Sequence, residues 1–319
     1  MDNKGNNFYE CKICGEAYEF IEHFHKHLRK HAIRQAEYYQ KYHPRRDMHD
    51  GTIIKFKDKD FYFNNDFNSK DNLRSWLTAQ TVKDQKNWCL SALSKRRRIK
   101  DLEYTPTQVE LRSIMIPSAN YLNELFGDYY KTCKDIGFTN KYQSMNSPLS
   151  TQPVDPTHKI IVDTRERDPL SFTNFDTISA KLDEGDYALD DDRVTHKCRI
   201  ERKSMGDLYG TISRAGYDRF IREIERAQTR NINFIVLIEE PLVNLYNFKY
   251  QSICKGKVKA SPEFIFHRIR EIIQKYPFVQ FLFVEDRLQS ALVIETLFKS
   301  SGGYRFIDLQ LAYDSGLLI

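Results

Sequence analysis

The sequence lacks long apolar runs and any secretory leader. In 319 residues, no stretch approaches the roughly 18 consecutive apolar residues that a membrane-spanning helix needs. The first residues, MDNKGNNFYECK, contain no apolar signal core, so we expect no secretion. We therefore expect an intracellular protein without membrane contact, located in the host cytoplasm if a phage encodes it.

Cysteine is also scarce, which excludes a small domain held together by disulfides. Of the six cysteines, only Cys11 and Cys14 are closely spaced. The remaining four are scattered and are typical of buried thiols. This pattern indicates metal binding by the first pair instead of a disulfide framework.

Two histidines complete a metal-binding pattern near the N-terminus. Two residues separate Cys11 from Cys14, and twelve residues separate Cys14 from His27. His31 follows one helical turn later. Two thiolates and two imidazoles can close a tetrahedron around zinc. The segment resembles the two-Cys, two-His zinc finger at every ligand position, which implies a ββα fold and a structural zinc. Whether this finger contacts DNA or docks on the protein itself stays open.

The finger helix is predicted to continue through AIRQAEYYQKYHPRR. Three tyrosines, Tyr38, Tyr39 and Tyr42, alternate there with basic residues. They predict either a tyrosine face packed inward or a surface for nucleic acid.

Positive charge is concentrated in the first half of the chain. Residues 1–150 hold 25 Lys and Arg against 19 Asp and Glu, whereas residues 151–319 hold 24 against 25. A basic half suits a polyanion such as duplex DNA, which is the partner that we expect. A slightly acidic half suits carboxylates that collect a cation.

Four regions follow one another along the chain. The zinc finger with its extended helix occupies 1–48, and a mainly helical region with an extended start (GTIIKFKDKDFYF) occupies 49–145. Residues 146–157 lack periodic apolar positions and read as a linker. In 158–319, strand-like segments such as KIIVD, CRIERK and NFIVLIEE alternate with helical patterns, which favours an α/β layer with parallel strands.

The helical region contains a dense basic stretch beside Trp88. Such density neutralises phosphates well and makes binding depend on salt, although a charge run is also typical of a solvated helix face. The residues expected to contact nucleic acid are Lys95, Arg96, Arg97, Arg98 and Lys100.

Three short helices are predicted between residues 104 and 140. Thr105 or Thr107 can cap the first and Ser118 the second, and Gly127 and Gly137 provide breaks. With Pro117-Ser118, Phe126-Gly127 and Gly137-Phe138, this stretch resembles the helical repeat appended to phage-type homing endonucleases. A generic helical spacer is the alternative.

Carboxylates and a lysine gather in residues 159–207. Asp163 and Glu166 follow a buried strand, Asp186 follows a glycine, and RIERKSMGD carries Glu201 and Lys203. On a strand, Glu201 and Lys203 share one face. If Asp186 lies on the neighbouring strand, two carboxylates and an ammonium group meet, as a metal-assisted hydrolysis of phosphodiesters requires.

This ordered set resembles the XPF-family (ERCC-type) nuclease domain, whose signature is Gly-Asp, then Glu-Arg-Lys and a later Asp. The resemblance spans about 158–298 and implies a restriction-endonuclease-like fold. It implies that Asp186 and Glu201 hold Mg²⁺ or Mn²⁺, and that Lys203 is the catalytic amine. Asp163, Glu166 and Asp207 become supporting catalytic acids, and Arg202 braces the site from the opposite face. Arg214 and Arg219 contact the substrate phosphate or are surface ion pairs.

Family members commonly continue into helix-hairpin-helix motifs, for which the residues after 298 are too few and too poor in glycine turns. Obligate dimerisation is therefore in doubt, and whether the protein forms a homodimer stays an open question. Our first hypothesis is a metal-dependent DNA endonuclease of homing or phage type. A nuclease specific for flaps, forks or junctions is the second. A non-catalytic zinc-finger DNA-binding protein is the alternative from another class.

Overall fold

The computed structural model describes residues 9–153, 155, 157–190, 197–248 and 260–319. The chain divides into two compact units, Met1–Gln85 and Lys86–Ile319. None of the helices in the described ranges is both long and apolar enough to cross a membrane.

The first unit begins with a β-hairpin and a helix. Strands β1 (Tyr9–Glu10) and β2 (Ala17–Tyr18) are antiparallel, and helix α1 (Ile21–Leu28) runs into a 3-10 turn that ends at His31. The prediction that this helix continues was wrong. Ala32 adopts a left-handed conformation with φ +51°, which no α-helix continues through, and a separate helix, α2 (Gln35–Tyr42), follows.

The tyrosines of α2 pack inward. Tyr38 and Tyr39 are 0% and 5% exposed and join Phe24 and Tyr62 in an aromatic core. Of the two alternatives for these tyrosines, a face packed inward describes Tyr38 and Tyr39. Their hydroxyl groups also find polar partners; for example, Lys12 N donates to Tyr38 Oη at 2.8 Å.

The extended start predicted for the next region is only partly correct. Lys59–Asn64 forms a helix, α3, because Asp58 caps its N-terminus by accepting a hydrogen bond from Phe61 N at 2.8 Å. Helix α4 (Lys70–Thr78), capped by Ser69, completes the unit.

The second unit begins within a long helix and continues with three short ones. These are α5 (Val82–Lys100), α6 (Gln108–Arg112), α7 (Ala119–Phe126) and α8 (Tyr129–Asp135). The caps are Thr107, Ser118 and Asp128, and Gly127 and Gly137 have positive φ angles. The three helices and both glycine breaks are where the sequence predicts them.

These helices are part of the same compact unit as the sheet, whereas the sequence suggests a division at 146–157. Buried Asp308 accepts hydrogen bonds from Gln108 N at 2.6 Å and from Tyr130 Oη at 3.1 Å. The described residues of the linker form no helix or strand, as expected, but two backbone hydrogen bonds hold them in place: Leu149 N donates to Leu317 O and Gln152 N to Lys299 O. Backbone hydrogen bonds of this kind leave no trace in composition.

A six-stranded mixed sheet forms the centre of this unit, in the order β4-β3-β5-β6-β7-β8. Strand β5 is antiparallel to both of its neighbours, and the remaining pairs are parallel. The parallel strands expected from the sequence are present in the pairs β3-β4, β6-β7 and β7-β8, and β5 is the exception. This reversed strand was not predicted, because it is short and carries little apolar periodicity. The strands are β3 (Lys159–Asp163), β4 (Thr177–Ala180), β5 (Tyr187–Asp190), β6 (Cys198–Lys203), β7 (Asn233–Ile238) and β8 (Val279–Phe283).

Helices cover both faces of the sheet. Phe234 and Val236 of β7 face one apolar layer, and Ile235 and Leu237 face the other, as the alternation of side chains along a strand requires. The helices are α9 (Met205–Ile212), α10 (Arg214–Thr229), α11 (Asn244–Asn247), α12 (Pro262–Lys275), α13 (Arg287–Lys299) and α14 (Leu309–Asp314).

Candidate active site and metal centres

One edge of the sheet collects the predicted catalytic residues. Asp163 ends β3, Glu201 and Lys203 end β6, and Asp186 immediately precedes β5. Because β5 is antiparallel to β3 and β6, its beginning lies at the same edge as their ends. The reversed strand is therefore what brings Asp186 to the other acids.

Gly185 fixes the position of Asp186. Its φ is +70°, and a Cβ atom here would stand 2.9 Å from the carbonyl oxygen of Ile200. The next residue is tied to β6 twice: Asp186 N donates to Ile200 O at 2.7 Å, and Arg202 N donates to Asp186 Oδ2 at 2.8 Å. The Gly-Asp pair is thus a geometric unit.

Glu201 and Lys203 form an ion pair on one face of β6. Lys203 Nζ lies 2.6 Å from Glu201 Oε1, and Lys203 is only 8% exposed. Its ammonium group also stands 5.4 Å from the centre of the Phe220 ring. The lysine is therefore held rigidly, as the shared strand face predicts.

Negative charge in this centre is only partly balanced. Burial, followed by the neighbouring Glu201 carboxylate, raises the pKa of Asp186 to about 7. Carboxylate oxygens are the donors that Mg²⁺ and Mn²⁺ prefer. With Asp186 Oδ2 bound to the backbone and Glu201 Oε1 bound to Lys203, the other oxygen of each group is suited to hold such a cation.

Asp163 has a different environment from Asp186. It is 1% exposed, and its carboxylate accepts hydrogen bonds from Arg165 Nε at 2.6 Å and Leu182 N at 2.6 Å. Although burial acts in the opposite direction, these hydrogen bonds keep the pKa of Asp163 below its usual range. Asp163 therefore stays ionised and orients Arg165, whose side chain is 64% exposed.

Glu166 is bound by Arg202. The Arg202 guanidinium lies 3.0 Å from Glu166 Oε1 and 2.8 Å from Glu239 Oε2, and all three side chains are largely buried. Because Arg202 alternates with Glu201 and Lys203 along β6, its side chain points to the opposite face. Its bracing role remains a prediction. Glu239, which follows β7, has no distinguishing sequence signal.

Asp207 lies in the first turn of α9 and is exposed. Its carboxylate accepts a hydrogen bond from Ser204 Oγ at 2.7 Å, and its N–H donates to the same oxygen at 3.1 Å. These contacts form a helix cap, which is a structural reason for an acid at this position. A catalytic role for Asp207 remains a prediction.

Helix α10 contributes residues that follow the motif. Arg219 is exposed, and Glu223 lies one turn further along the same helix face. Glu223 Oε1 accepts a hydrogen bond from Gly185 N at 3.2 Å, and its pKa is raised by burial and by Glu201. Glu223 was not predicted from the sequence, since nothing in REIERAQ distinguishes one acid from the other. The side chain of Arg214 lies outside the described part of the chain.

The four predicted zinc ligands converge in the first unit. One ligand atom from each of Cys11, Cys14, His27 and His31 lies within 4.8 Å of the others. His27 Nε2 stands 3.2 Å from Cys14 Sγ and 3.0 Å from His31 Nε2. Two thiolates and two imidazoles at such distances fit a tetrahedral zinc ion.

Glu16 lies beside this cluster, within ion-pair range of His27 but without a hydrogen bond to it. Its carboxylate lies 3.4 Å from His27 Nδ1, the ring nitrogen that faces away from the other ligands. Metal-binding histidines usually donate that second N–H to a carboxylate or a carbonyl, which fixes the orientation of the ring.

The basic stretch of α5 divides into inward and outward residues. Arg97 stacks beside Gly137 and over the Phe138 ring, 5.7 Å from its centre, whereas Arg98 and Lys100 are exposed. Lys95 and Arg96 are half-buried. Burial, followed by the nearby positive charge of Arg96, lowers the pKa of Arg270 in α12 to about 10.

The comparison with known families agrees with this site. Residues 162–297 match the family model of the ERCC4 domain, an XPF-type nuclease domain, over less than half of the chain. A search of curated proteins found no match. The matched segment contains Asp186, Glu201 and Lys203, and the mixed sheet with flanking helices is consistent with the restriction-endonuclease-like fold that this domain implies. The second half of the chain is therefore similar to an XPF-type nuclease.

Proposed function

We propose that this protein is a metal-dependent DNA endonuclease that hydrolyses phosphodiester bonds at the Asp186–Glu201–Lys203 edge of its sheet. The observation that carries the proposal is the meeting of these three side chains within a segment that matches the ERCC4 domain.

Each residue has a part that follows from its contacts. A bound Mg²⁺ or Mn²⁺ ion supplies Lewis acidity for the phosphoryl oxygen and a water of lowered pKa. Asp186 and Glu201 hold that ion with the oxygens that their protein partners leave free. The Lys203 ammonium group, positioned by Glu201, offsets the charge that gathers on the phosphate. Arg165, oriented by Asp163, offers an exposed guanidinium to the same phosphate.

Duplex DNA is the proposed substrate class, and α5 and α12 supply a basic surface for it. Arg96 and Arg270 bring two cations near each other in this region. Arg98 and Lys100 extend this surface outward. Phosphates of the DNA backbone are suitable anions. The zinc finger is proposed as a further contact, with a structural zinc ion.

Two kinds of DNA substrate have separate support. The ERCC4 match favours a structure-specific nuclease acting on flaps, forks or junctions. The three-helix segment 104–140 is the feature that favours a homing-type enzyme. In the structure its buried residues, Gln108 and Tyr130 among them, anchor it to the sheet unit, so any DNA contact by this segment uses its outer side.

The proposal is tested with purified wild type and Glu201→Gln on flap, fork and linear duplex DNA, with Mg²⁺ and with EDTA. We expect metal-dependent cutting by the wild type and none by the variant, with DNA binding equal in both. Preference for branched DNA would select the structure-specific enzyme. Cutting of some duplexes in a randomised-site library, without cutting of the other substrates, would favour the homing-type enzyme.

Cutting of no substrate, library included, with binding intact would contradict the proposal. It would leave the alternative in which the nuclease fold is a scaffold for zinc-finger DNA binding.

A further inference from the structure

Helix α10 carries exposed arginines along one flank. They recur at spacings of three, four and four residues, and such spacings place side chains on one side of an α-helix. The members of this α10 arginine flank are Arg219, Arg222, Arg226 and, directly after the helix, Arg230. The acids of α10 lie on either side of the flank: Glu223 toward the sheet, and Asp218 and Glu225 toward solvent.

Contacts with the turn before Asp186 locate the second half of this flank. Glu184, which is 1% exposed, lies 3.1 Å from Arg230 Nη1 and 3.6 Å from Arg226 Nε. Arg230 also pairs with Asp183 at 2.7 Å. The flank therefore runs alongside the turn that positions Asp186.

The first half of the flank adjoins the proposed cutting centre. The Phe220 ring lies 5.4 Å from Lys203 Nζ, and Glu223 Oε1 accepts a hydrogen bond at 3.2 Å from the backbone of the same turn. Arg219 and Arg222 immediately precede these two residues in the sequence. Because they lie on the neighbouring side of the helix, their exposed side chains border the catalytic edge of the sheet.

The chemistry of the flank suits phosphate. Every basic residue of α10 is an arginine, and a guanidinium group can bind two phosphate oxygens at once, as an ammonium group cannot. Within the described part of the chain, Arg219 and Arg222 form no ion pair. A helix face that only needs solvation would be served equally well by lysine.

The length of the flank matches several phosphates. From Arg219 to Arg230 the rise of an α-helix amounts to about 16 Å. Along one strand of B-form DNA, phosphates follow each other every 3.4 Å of the axis, so this length corresponds to about five of them.

We propose that the α10 arginine flank binds the backbone of the cut DNA strand, along the phosphates on one side of the scissile phosphate. The inference rests on the proposed function, because DNA and the cutting centre are taken from it. It adds a second basic surface, at the catalytic edge, to the one that α5 and α12 supply.

The first test is the salt dependence of DNA binding by zinc-loaded, full-length protein in Mg²⁺-free buffer, measured by fluorescence anisotropy. We expect the double variant Arg219→Ala, Arg222→Ala to bind more weakly, with a log–log salt slope smaller by about two contacts. Arg219→Lys with Arg222→Lys keeps both charges and should keep the wild-type slope. Both side chains are exposed, so these variants should fold.

The matched control is Lys159→Ala with Lys197→Ala. These two lysines lie at the start of β3 and directly before β6, at the sheet edge opposite to the catalytic residues. Their removal changes the net charge equally and should leave the slope at the wild-type value. A wild-type slope in the α10 double alanine variant, or an equal decrease in the control, would overturn the proposal.

The second test replaces single phosphates of the cut strand by uncharged methylphosphonates. We expect the wild type to lose affinity at up to about five consecutive positions on one side of the cut, and the α10 double alanine variant to lose less there. Identical profiles for the two proteins would contradict the assigned position. If the wild type cuts no DNA while the slope still falls by about two contacts, the nuclease proposal fails and DNA binding by the flank stands.

Discussion

At the residue scale, the environment of each carboxyl group determines its part in the site. Asp186 and Asp163 lie at the same sheet edge, yet the pKa of Asp186 is raised to about 7 and that of Asp163 is lowered. Burial and then the neighbouring Glu201 carboxylate raise the pKa of Asp186, whereas at Asp163 the hydrogen bonds from Arg165 and Leu182 outweigh the effect of burial. A cation therefore competes with a proton at Asp186 and not at Asp163.

The raised pKa of Asp186 predicts a pH dependence. Between pH about 4 and about 7, the metal-free folded protein keeps a proton that the unfolded chain has lost, so the free energy of unfolding falls as pH rises through this window. We expect Asp186→Asn to raise the melting midpoint of metal-free protein by a few degrees at pH about 8, and to change it little at pH about 4. Calorimetry in a chelator-treated buffer measures both. A lower midpoint at alkaline pH would contradict the account.

The cleavage rate should depend on the same carboxyl group, but it should rise with pH where the stability falls. Since Asp186 must lose its proton to hold the cation, the rate at subsaturating Mg²⁺ should fall as pH drops below about 7. More Mg²⁺ should move this limb to lower pH. A single-turnover rate profile at two Mg²⁺ concentrations tests this, and a profile that metal does not shift would count against Asp186 as a ligand.

Arg202 balances two buried acids, so its removal should weaken the fold. Arg202→Met leaves Glu166 and Glu239 without their shared cation, and we expect a loss of about 3 kcal/mol or more in the free energy of unfolding. Urea denaturation of the variant and of Arg219→Met, an exposed control on α10, measures the difference. Equal stability of the two variants would show that the Arg202 ion pairs contribute little.

At the element scale, the short antiparallel strand β5 is what assembles the site. Its beginning meets the ends of β3 and β6 only because Gly185 makes a left-handed turn against the backbone of Ile200. The long apolar strands β7 and β8 supply the core, and the four-residue strand β5 positions the site.

The cluster of Cys11, Cys14, His27 and His31 is the corresponding feature of the first unit. Strands β1 and β2 are two residues each, too short to stabilise a fold, so a zinc ion held by this cluster would connect them to α1. We expect Cys14→Ser to lose zinc and the ordered fold of the finger. Zinc content by atomic absorption and the dispersion of finger resonances in NMR spectra measure both. An unchanged spectrum without zinc would contradict a structural role for the ion.

Elements with strong periodicity or clear caps could be predicted from the sequence, and those set by single contacts could not. Thr107, Ser118 and Gly127 delimit short helices because capping and left-handed turns have local signals. The break at Ala32 and the direction of β5 have no such signal, since each depends on what the segment packs against.

At the scale of the whole molecule, the sequence predicts those site residues that belong to the ordered Gly-Asp and Glu-Arg-Lys motifs. Asp186, Glu201 and Lys203 meet as the strand alternation predicts. Glu223, Glu239 and Arg270 could not be found, because each becomes relevant only when a helix or strand distant in sequence brings it to a charged neighbour.

The charge of the molecule predicts how it holds DNA. Arg98 and Lys100 are exposed on α5, so we expect the double variant Arg98→Ala, Lys100→Ala to bind DNA more weakly, with a salt dependence reduced by about two phosphate contacts. Anisotropy titrations across a range of salt concentrations give this slope. A slope equal to that of the wild type would remove α5 from the DNA surface.

The most direct test of the central claim is the single-turnover cleavage rate of Asp186→Asn and Glu201→Gln on the substrate that the wild type prefers. Asp218→Asn serves as the control, and DNA affinity is measured for each. The account predicts a rate lower by about 1,000-fold or more in the first two variants, with affinity nearly unchanged and the control as active as the wild type. Wild-type rates in either variant would contradict a metal-dependent nuclease centre at this edge of the sheet.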